Sequence, residues 1–146
     1  MVITEEKSDY MHYRHYDNGI HELTYKDASR KAVDAFYSYL EKFAQEGQPS
    51  DTYFILNDLR ESGHQPLSYY FSQLRRVNSQ YHPSKRPAAC IALVYYSNSP
   101  LIGTVDTFIR MVSPRNITIR IFPNNSYDSA VTWLLEERSK RPATQT

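Results

Sequence analysis

The sequence predicts an α/β domain: a mixed, mostly parallel sheet of about five strands, opened by a hairpin and carrying four helices. Three observations predict it. From residue 27 onward, segments with helical apolar spacing alternate with short apolar runs, the order expected of βαβ units. The run "AACIALVYY" at 88–96 shows no polar alternation, as in a strand covered on both faces. Asn18-Gly19 sits between two aromatic and β-branched segments, a strong hairpin signal.

The chain has 146 residues, the size of one domain, and can bury a core without disulfides or metal. Residues 1–9 are polar and predict a flexible N-terminus. "YMHYRHYDNGIHELTY" (10–25) reads as the hairpin. A two-residue turn would set Tyr16 opposite His21 and His15 opposite Glu22, the latter a surface pair. Ile20 and Leu23 differ in parity, so no single apolar face is readable, and a bulge or edge strand is expected.

"DASRKAVDAFYSYLEKFAQEG" (27–47) predicts a helix with Asp27 as N-cap, an apolar face of Ala32, Phe36, Leu40 and Phe43, and a stop at Gly47. "TYFILND" (52–58) is an apolar strand. "PLSYYFSQLRRVNSQY" (66–81) is a second helix with the stripe Leu67, Tyr70, Phe71, Leu74, Val77 and Tyr81. After the 88–96 strand, "SNSPLIGTVDTFIRMV" (97–112) opens with cap chemistry before Pro100 and carries Leu101, Val105, Phe108, Ile109 and Val112 on one side. "ITIRIF" (117–122) alternates, with Ile117, Ile119 and Ile121 on one face. "NNSYDSAVTWLLEER" (124–138) is the last helix, capped by Asn125 or Ser126 and burying Tyr127, Ala130, Val131 and Leu134, with Trp133 packed beside them. The single domain spans 10–138, and 139–146 is read as a flexible tail.

Charge and composition narrow the function. The net charge of +1 provides no global field toward nucleic acid, so no nucleic-acid partner is expected. The groups Arg75-Arg76, Lys85-Arg86 and Arg138-Lys140-Arg141 read as solvated faces and helix ends. No apolar stretch reaches transmembrane length, and the first residues carry no apolar signal region, so a cytoplasmic protein is expected. The lone Cys90, within an apolar run, reads as a small hydrophobe. His12 and His15 point to opposite faces of a strand, and no ligand spacing is present, so neither metal nor cofactor is expected.

Three stretches resemble the SpoIIAA-like STAS domains, the anti-sigma-factor-antagonist family. "YFILNDLR" (53–60) is similar to that family's central strand ending in an acid, and "AACIALVYY" to its next buried strand. "IRIFPNNSYDSAVTWL" (119–134) is similar to its closing strand and helix, through Arg120, Phe122, Ala130, Trp133 and Leu134. The resemblance spans roughly residues 13–138 in element order. It implies a non-enzymatic regulatory or binding module that recognises a partner protein or a small anionic or lipid-like ligand. It also implies a phosphoacceptor serine after the central strand, for which Ser62-Gly63 is the matching pair. Here Glu61 precedes a single serine, and His64-Gln65-Pro66 come before the helix.

The candidate binding residues follow from position. Asp58, Arg60, Ser62 and Gly63 lie where the chain leaves the central strand, and Ser97, Asn98 and Ser99 in the equivalent turn after the next strand. In a parallel sheet both turns open on the carboxyl edge, where ligands bind. Asp58 and Arg60 are expected to pair and shape the loop. An alternative keeps Asp58 and His64 as acid–base groups of a small hydrolase or transferase. A further one is a homodimer with Tyr10, Tyr95 or Tyr96 at the interface.

Overall fold

In a computed structural model of the chain, residues 1–80, 83–97, 102–112 and 116–141 are described. The elements run β1 (Val2–Lys7), β2 (Met11–Tyr16), β3 (Ile20–Tyr25), α1 (Arg30–Glu46), β4 (Thr52–Asp58), α2 (Leu67–Gln80), a 3₁₀ turn (Pro83–Lys85), β5 (Ala88–Val94), α3 (Ile102–Val112), β6 (Ile117–Phe122) and α4 (Tyr127–Ser139). One six-stranded sheet takes them in sequence order, β1-β2-β3-β4-β5-β6. The first two pairings are antiparallel and the remaining three parallel. This is the mixed, mostly parallel α/β fold with an initial hairpin that the sequence predicts.

The strand beyond the expected five is β1. Its six residues are all exposed, so no apolar pattern announces it; backbone pairing with β2 holds it, from Val2–Tyr16 to Lys7–His12. The Tyr39 hydroxyl reaches over from α1 to donate to Glu6 Oε2 at 2.6 Å. Residues 2–7 are therefore an edge strand, where the sequence reading expected a flexible terminus.

The hairpin register differs by one residue from the two-residue turn. Arg14 faces Glu22 and His15 faces His21, because Asp17, Asn18 and Gly19 all lie in the turn. Gly19 takes φ +90° and returns its N–H to the Tyr16 carbonyl, while Asn18 Oδ1 accepts from the Ile20 N–H. A three-residue turn with glycine in the left-handed region is a standard hairpin alternative. The predicted His15–Glu22 pair is replaced by Arg14–Glu22.

The parity puzzle in β3 resolves without a bulge there, because both faces of that strand are buried. Leu23 and Tyr25 join one core with Met11 and Tyr13, Ile55 of β4, Ile91 and Leu93 of β5, and Ile119 of β6. Ile20 joins a second core with Phe54 and Leu56, Cys90, Ala92 and Val94, and Phe122. The first core is closed by Phe36, Tyr37 and Leu40 of α1, Tyr70, Leu74 and Val77 of α2, and Ile109 of α3. The second is closed by Ala130 and Leu134 of α4. Strands added in order by right-handed crossovers put successive connecting helices on one face. The last helix follows the last strand, so it is free to fold back over the other.

Local chemistry sets the helix ends. Ser29, not Asp27, is the N-cap of α1: its Oγ accepts from the Ala32 N–H at 3.1 Å. Asp27 supports the cap by accepting from the Ser29 N–H and hydroxyl. α1 ends at Gly47, where the backbone turns extended (φ −84°, ψ 157°) at a point with no room for a side chain against Pro87 and Tyr53. Ser126 caps α4 without a side-chain bond, and Tyr127, Val131 and Trp133 are half-buried on the margin of its core. Trp133 lies with its ring centroid 6.0 Å from that of Phe122. Arg86, grouped in sequence with exposed Lys85, is buried. Tyr81, Leu101 and residues 142–146 lie outside the described residues, as do the side chains of Leu67, Val105, Phe108 and Val112.

Candidate functional site at the carboxyl edge

The central strand leaves the core where the sequence suggests. β4 ends at Asp58, which stands beside Thr24 of β3 and Val94 of β5. Strand alternation aims Asp58 to the α4 side, in line with Phe54 and Leu56. Its carboxylate takes three bonds from one residue: Arg60 Nε at 2.9 Å, Arg60 Nη2 at 2.8 Å and the Arg60 backbone N–H at 3.0 Å. The expected Asp58–Arg60 pair is present as a bidentate fork, the strongest geometry for this couple.

Arg60 is also held from the other side. Its guanidinium carbon lies 4.4 Å from the ring centre of Tyr127, the first residue of α4. The Tyr127 hydroxyl donates to Glu22 Oε2. Glu22 Oε1 accepts from Arg14 Nη1 at 3.1 Å and from the Tyr16 hydroxyl at 3.3 Å, and Arg14 continues to Glu5 at 3.4 Å. A charged chain thus crosses the sheet face from β1 to the loop after β4. Burial, and then the hydrogen bond to Glu22, push the Tyr127 hydroxyl well above its ordinary pKa, so it stays a donor. Sequence reasoning missed Glu22 and Tyr127. Glutamate in a strand beside histidines reads as surface, and only the correct register puts it under Arg14.

Ser62 and His64 belong to a different network. Ser62 is half-buried rather than exposed: its Oγ accepts from Gln65 Nε2 at 2.9 Å and points its proton toward the Leu59 and Gly63 carbonyls. Gly63 takes φ +81°, a left-handed conformation that fits glycine and turns the chain toward Gln65. Gln65 is buried, and its amide also donates to the Asp27 carbonyl ahead of α1. His64 Nδ1 is 2.9 Å from the Tyr95 hydroxyl, on the α1–α2 side of the sheet, and its ring meets Tyr96 edge-on at 5.9 Å. Helix α2 begins only at Leu67, so Ser62 does not sit at its N-terminus.

Below this loop the interior is polar. The Asn57 amide, the Tyr25 and Tyr70 hydroxyls and Gln65 Oε1 are all buried there, with the Tyr70 hydroxyl next to Tyr37 and Asn57. Burial drives the Tyr25 and Tyr70 hydroxyls far above their usual pKa, so both remain neutral.

At the second turn Ser97 is half-buried, while Asn98 and Ser99 lie outside the described residues. Tyr95 is a core residue, and the interface role considered for it does not fit its burial; Tyr96 beside it is exposed. No family model, no curated protein and no solved structure matches this chain. Among the described residues, no helix is long and apolar enough to cross a membrane.

Proposed function

We propose that this chain is a regulatory or binding module of the SpoIIAA-like STAS type, non-enzymatic, recognising a partner protein through the loops after β4 and β5. The observation that carries the reading is the Asp58–Arg60 fork. It holds an arginine rigidly against Tyr127 with two-fifths of its side chain still exposed. Exposed Glu61, His64 and Tyr96 flank the same edge. Arginine and tyrosine are the residue types that anchor protein interfaces, and a pre-ordered side chain loses little entropy on docking. The sequential α/β order with an opening hairpin supports the resemblance.

The acid–base alternative is less favoured by the geometry. Asp58 is committed to Arg60 on the α4 side and His64 to Tyr95 on the other, so they do not form a couple. A small anionic or lipid-like ligand at the same edge is the second reading, and exposed Arg60 is the group that favours it. Phosphorylation of Ser62 would require its hydroxyl to leave Gln65 and would add about −1.5 to −2 charges next to Glu61.

The test is native mass spectrometry of the protein purified from its own host, with Arg60→Glu and Tyr96→Ala alongside. A defined protein that co-purifies stoichiometrically with wild type and is lost from both variants supports the reading. A small anion in its place supports the second reading. Equal recovery with both folded variants would overturn the assignment of this edge. Ser62→Ala and Ser62→Asp in the same experiment report whether charge at that position switches capture.

A further inference from the structure

The two side edges of the sheet are finished differently. Along β6, the Ile121 N–H, which points away from β5, donates to Asp106 Oδ1 of α3 at 3.0 Å, and Arg110 Nε holds the other oxygen of that carboxylate at 3.0 Å. A side chain on an outer N–H blocks that edge to another strand. β1 is the other end strand, and each of its residues, Val2 to Lys7, is exposed. Antiparallel pairing turns the backbone groups of alternate residues toward the neighbouring strand. The Ser8 N–H bonds to the Met11 carbonyl, so in the same register Glu6 bonds to Tyr13 and Thr4 to His15. Glu5 and Lys7 therefore turn their N–H and C=O groups outward, where no strand lies beside them.

We propose that this edge pairs with a second copy of the chain, β1 against β1 in antiparallel order, around a two-fold axis at Glu6. The strand itself selects the register. A bulge between Val2 and Thr4 takes its first residues out of line and leaves Thr4 to Lys7 as the regular segment. Bonds form only where outward residues meet outward residues. An axis at Glu5 would oppose Glu5 to itself, and an axis at Thr4 would set Glu5 against the bulged Ile3. An axis at Glu6 sets Glu5 against Lys7 of the second copy, and symmetry repeats the pair. Each such pair exchanges both of its backbone bonds.

The charges on the strand fit that arrangement. Glu5 and Lys7 lie on one face, with Nζ 3.7 Å from Oε1, and Arg14 Nε is 3.4 Å from Glu5 Oε2. The row Arg14–Glu5, alternating in sign, continues into Lys7 of the second copy. On the other face the axis opposes Glu6 to itself, each carboxylate held by the Tyr39 hydroxyl of its own α1 at 2.6 Å. That like-charge contact and the short seam keep the pair in the small, weak class of interfaces. Both copies use their β1 edge, and the β6 edges are blocked, so assembly stops at two. This surface lies apart from the carboxyl edge and does not rest on the function proposed for it.

The test is sedimentation equilibrium of the full chain from about 10 μM to about 1 mM, with ¹H–¹⁵N NMR to confirm that each variant keeps β1 paired with β2. A reversible monomer–dimer equilibrium is expected, with the Glu5 and Lys7 amides shifting as concentration rises. Lys7→Glu and Glu5→Lys should each weaken it about tenfold, because two unlike pairs become two like ones. Mixed together, these two variants should associate again, since each strand then opposes its charges to the other's. Lys7→Pro removes an outward N–H, spares the bonds to β2, and should leave a monomer; it decides the matter if Glu5→Lys, which loses Arg14, does not fold. A monomer throughout the range, oligomers beyond a dimer, folded Lys7→Pro dimerising like wild type, or a mixture of folded charge variants associating no better than either alone would each overturn the proposal.

Discussion

Removing the arginine of the Asp58–Arg60 fork tests whether that pair builds the candidate edge. Arg60→Ala strips two charge-assisted bonds from a carboxylate that is 7% exposed and leaves it only the Arg60 backbone N–H. Breaking a fully buried pair costs about 3–5 kcal/mol. Arg60 is 40% exposed, so solvent screens its end of the interaction and the ionic part falls to about 2 kcal/mol. Loss of the contact with the Tyr127 ring adds roughly 0.5–1 kcal/mol. The expected destabilisation is therefore about 2–3 kcal/mol, or a fall in Tm of roughly 5–10 °C for a chain of this size. A double-mutant cycle with Asp58→Ala, followed by urea denaturation, isolates the pair; a coupling of about 1.5–2 kcal/mol is expected. A coupling below about 0.5 kcal/mol, with both single variants near wild type, would show that the fork is a surface pair and does not order the loop.

Gly47→Ala should destabilise by about 1–3 kcal/mol. Its Cβ would stand 2.6 Å from Pro87, 2.8 Å from Tyr53 and 2.9 Å from the Phe43 carbonyl that receives the Gly47 N–H; a neutral effect on denaturation would mean that the α1 terminus shifts freely. His21 is held down to about 3 by burial and by the neighbouring His15, so in the folded state it stays neutral while the unfolded chain protonates near 6.5. Its contribution is full above pH 6.5 and is lost as pH falls toward 3; between pH 7 and pH 4.5 wild type should lose about 2–3 kcal/mol more than His21→Gln. Equal losses in both proteins would remove His21 from the acid response. Trp133→Ala should cost about 1–2 kcal/mol, less than a fully buried aromatic, because the ring is half-buried against Phe122. A loss above about 3 kcal/mol would place it in the core after all.

What was legible at the candidate site was its location and its central pair. A carboxylate that ends an apolar strand two residues before an arginine has a partner within reach whatever the rest of the fold does. Ser62 was legible as a loop residue but not as half-buried, because Gln65 reaches it only once Asp27 anchors the Gln65 amide from a segment nearly forty residues away. Glu22 and Tyr127 were illegible for the same reason in stronger form: they meet across 105 positions of chain. Arg86 looked like its exposed neighbour Lys85, and nothing local distinguishes a guanidinium held by Asn78 and Asn116 from a solvated one.

By itself the sequence determined the elements that bury a continuous run or a stripe: β4, β5, β6, the four helices, and the parallel order their alternation requires. Those are local statements about period and about chain length between strands. Tertiary structure decided the rest. It made a strand of Val2–Lys7, which buries nothing and is held by backbone pairing with β2 and by side-chain bonds from Tyr39 to Glu6 and from Arg14 to Glu5. It chose the three-residue turn, which sets Arg14 opposite Glu22, and it covered both faces of β3, so that Ile20 and Leu23 each find a core. It also selected which polar groups are buried, since a carboxylate or guanidinium enters the interior only where distant residues supply its partners, and distance along the chain carries no record of them.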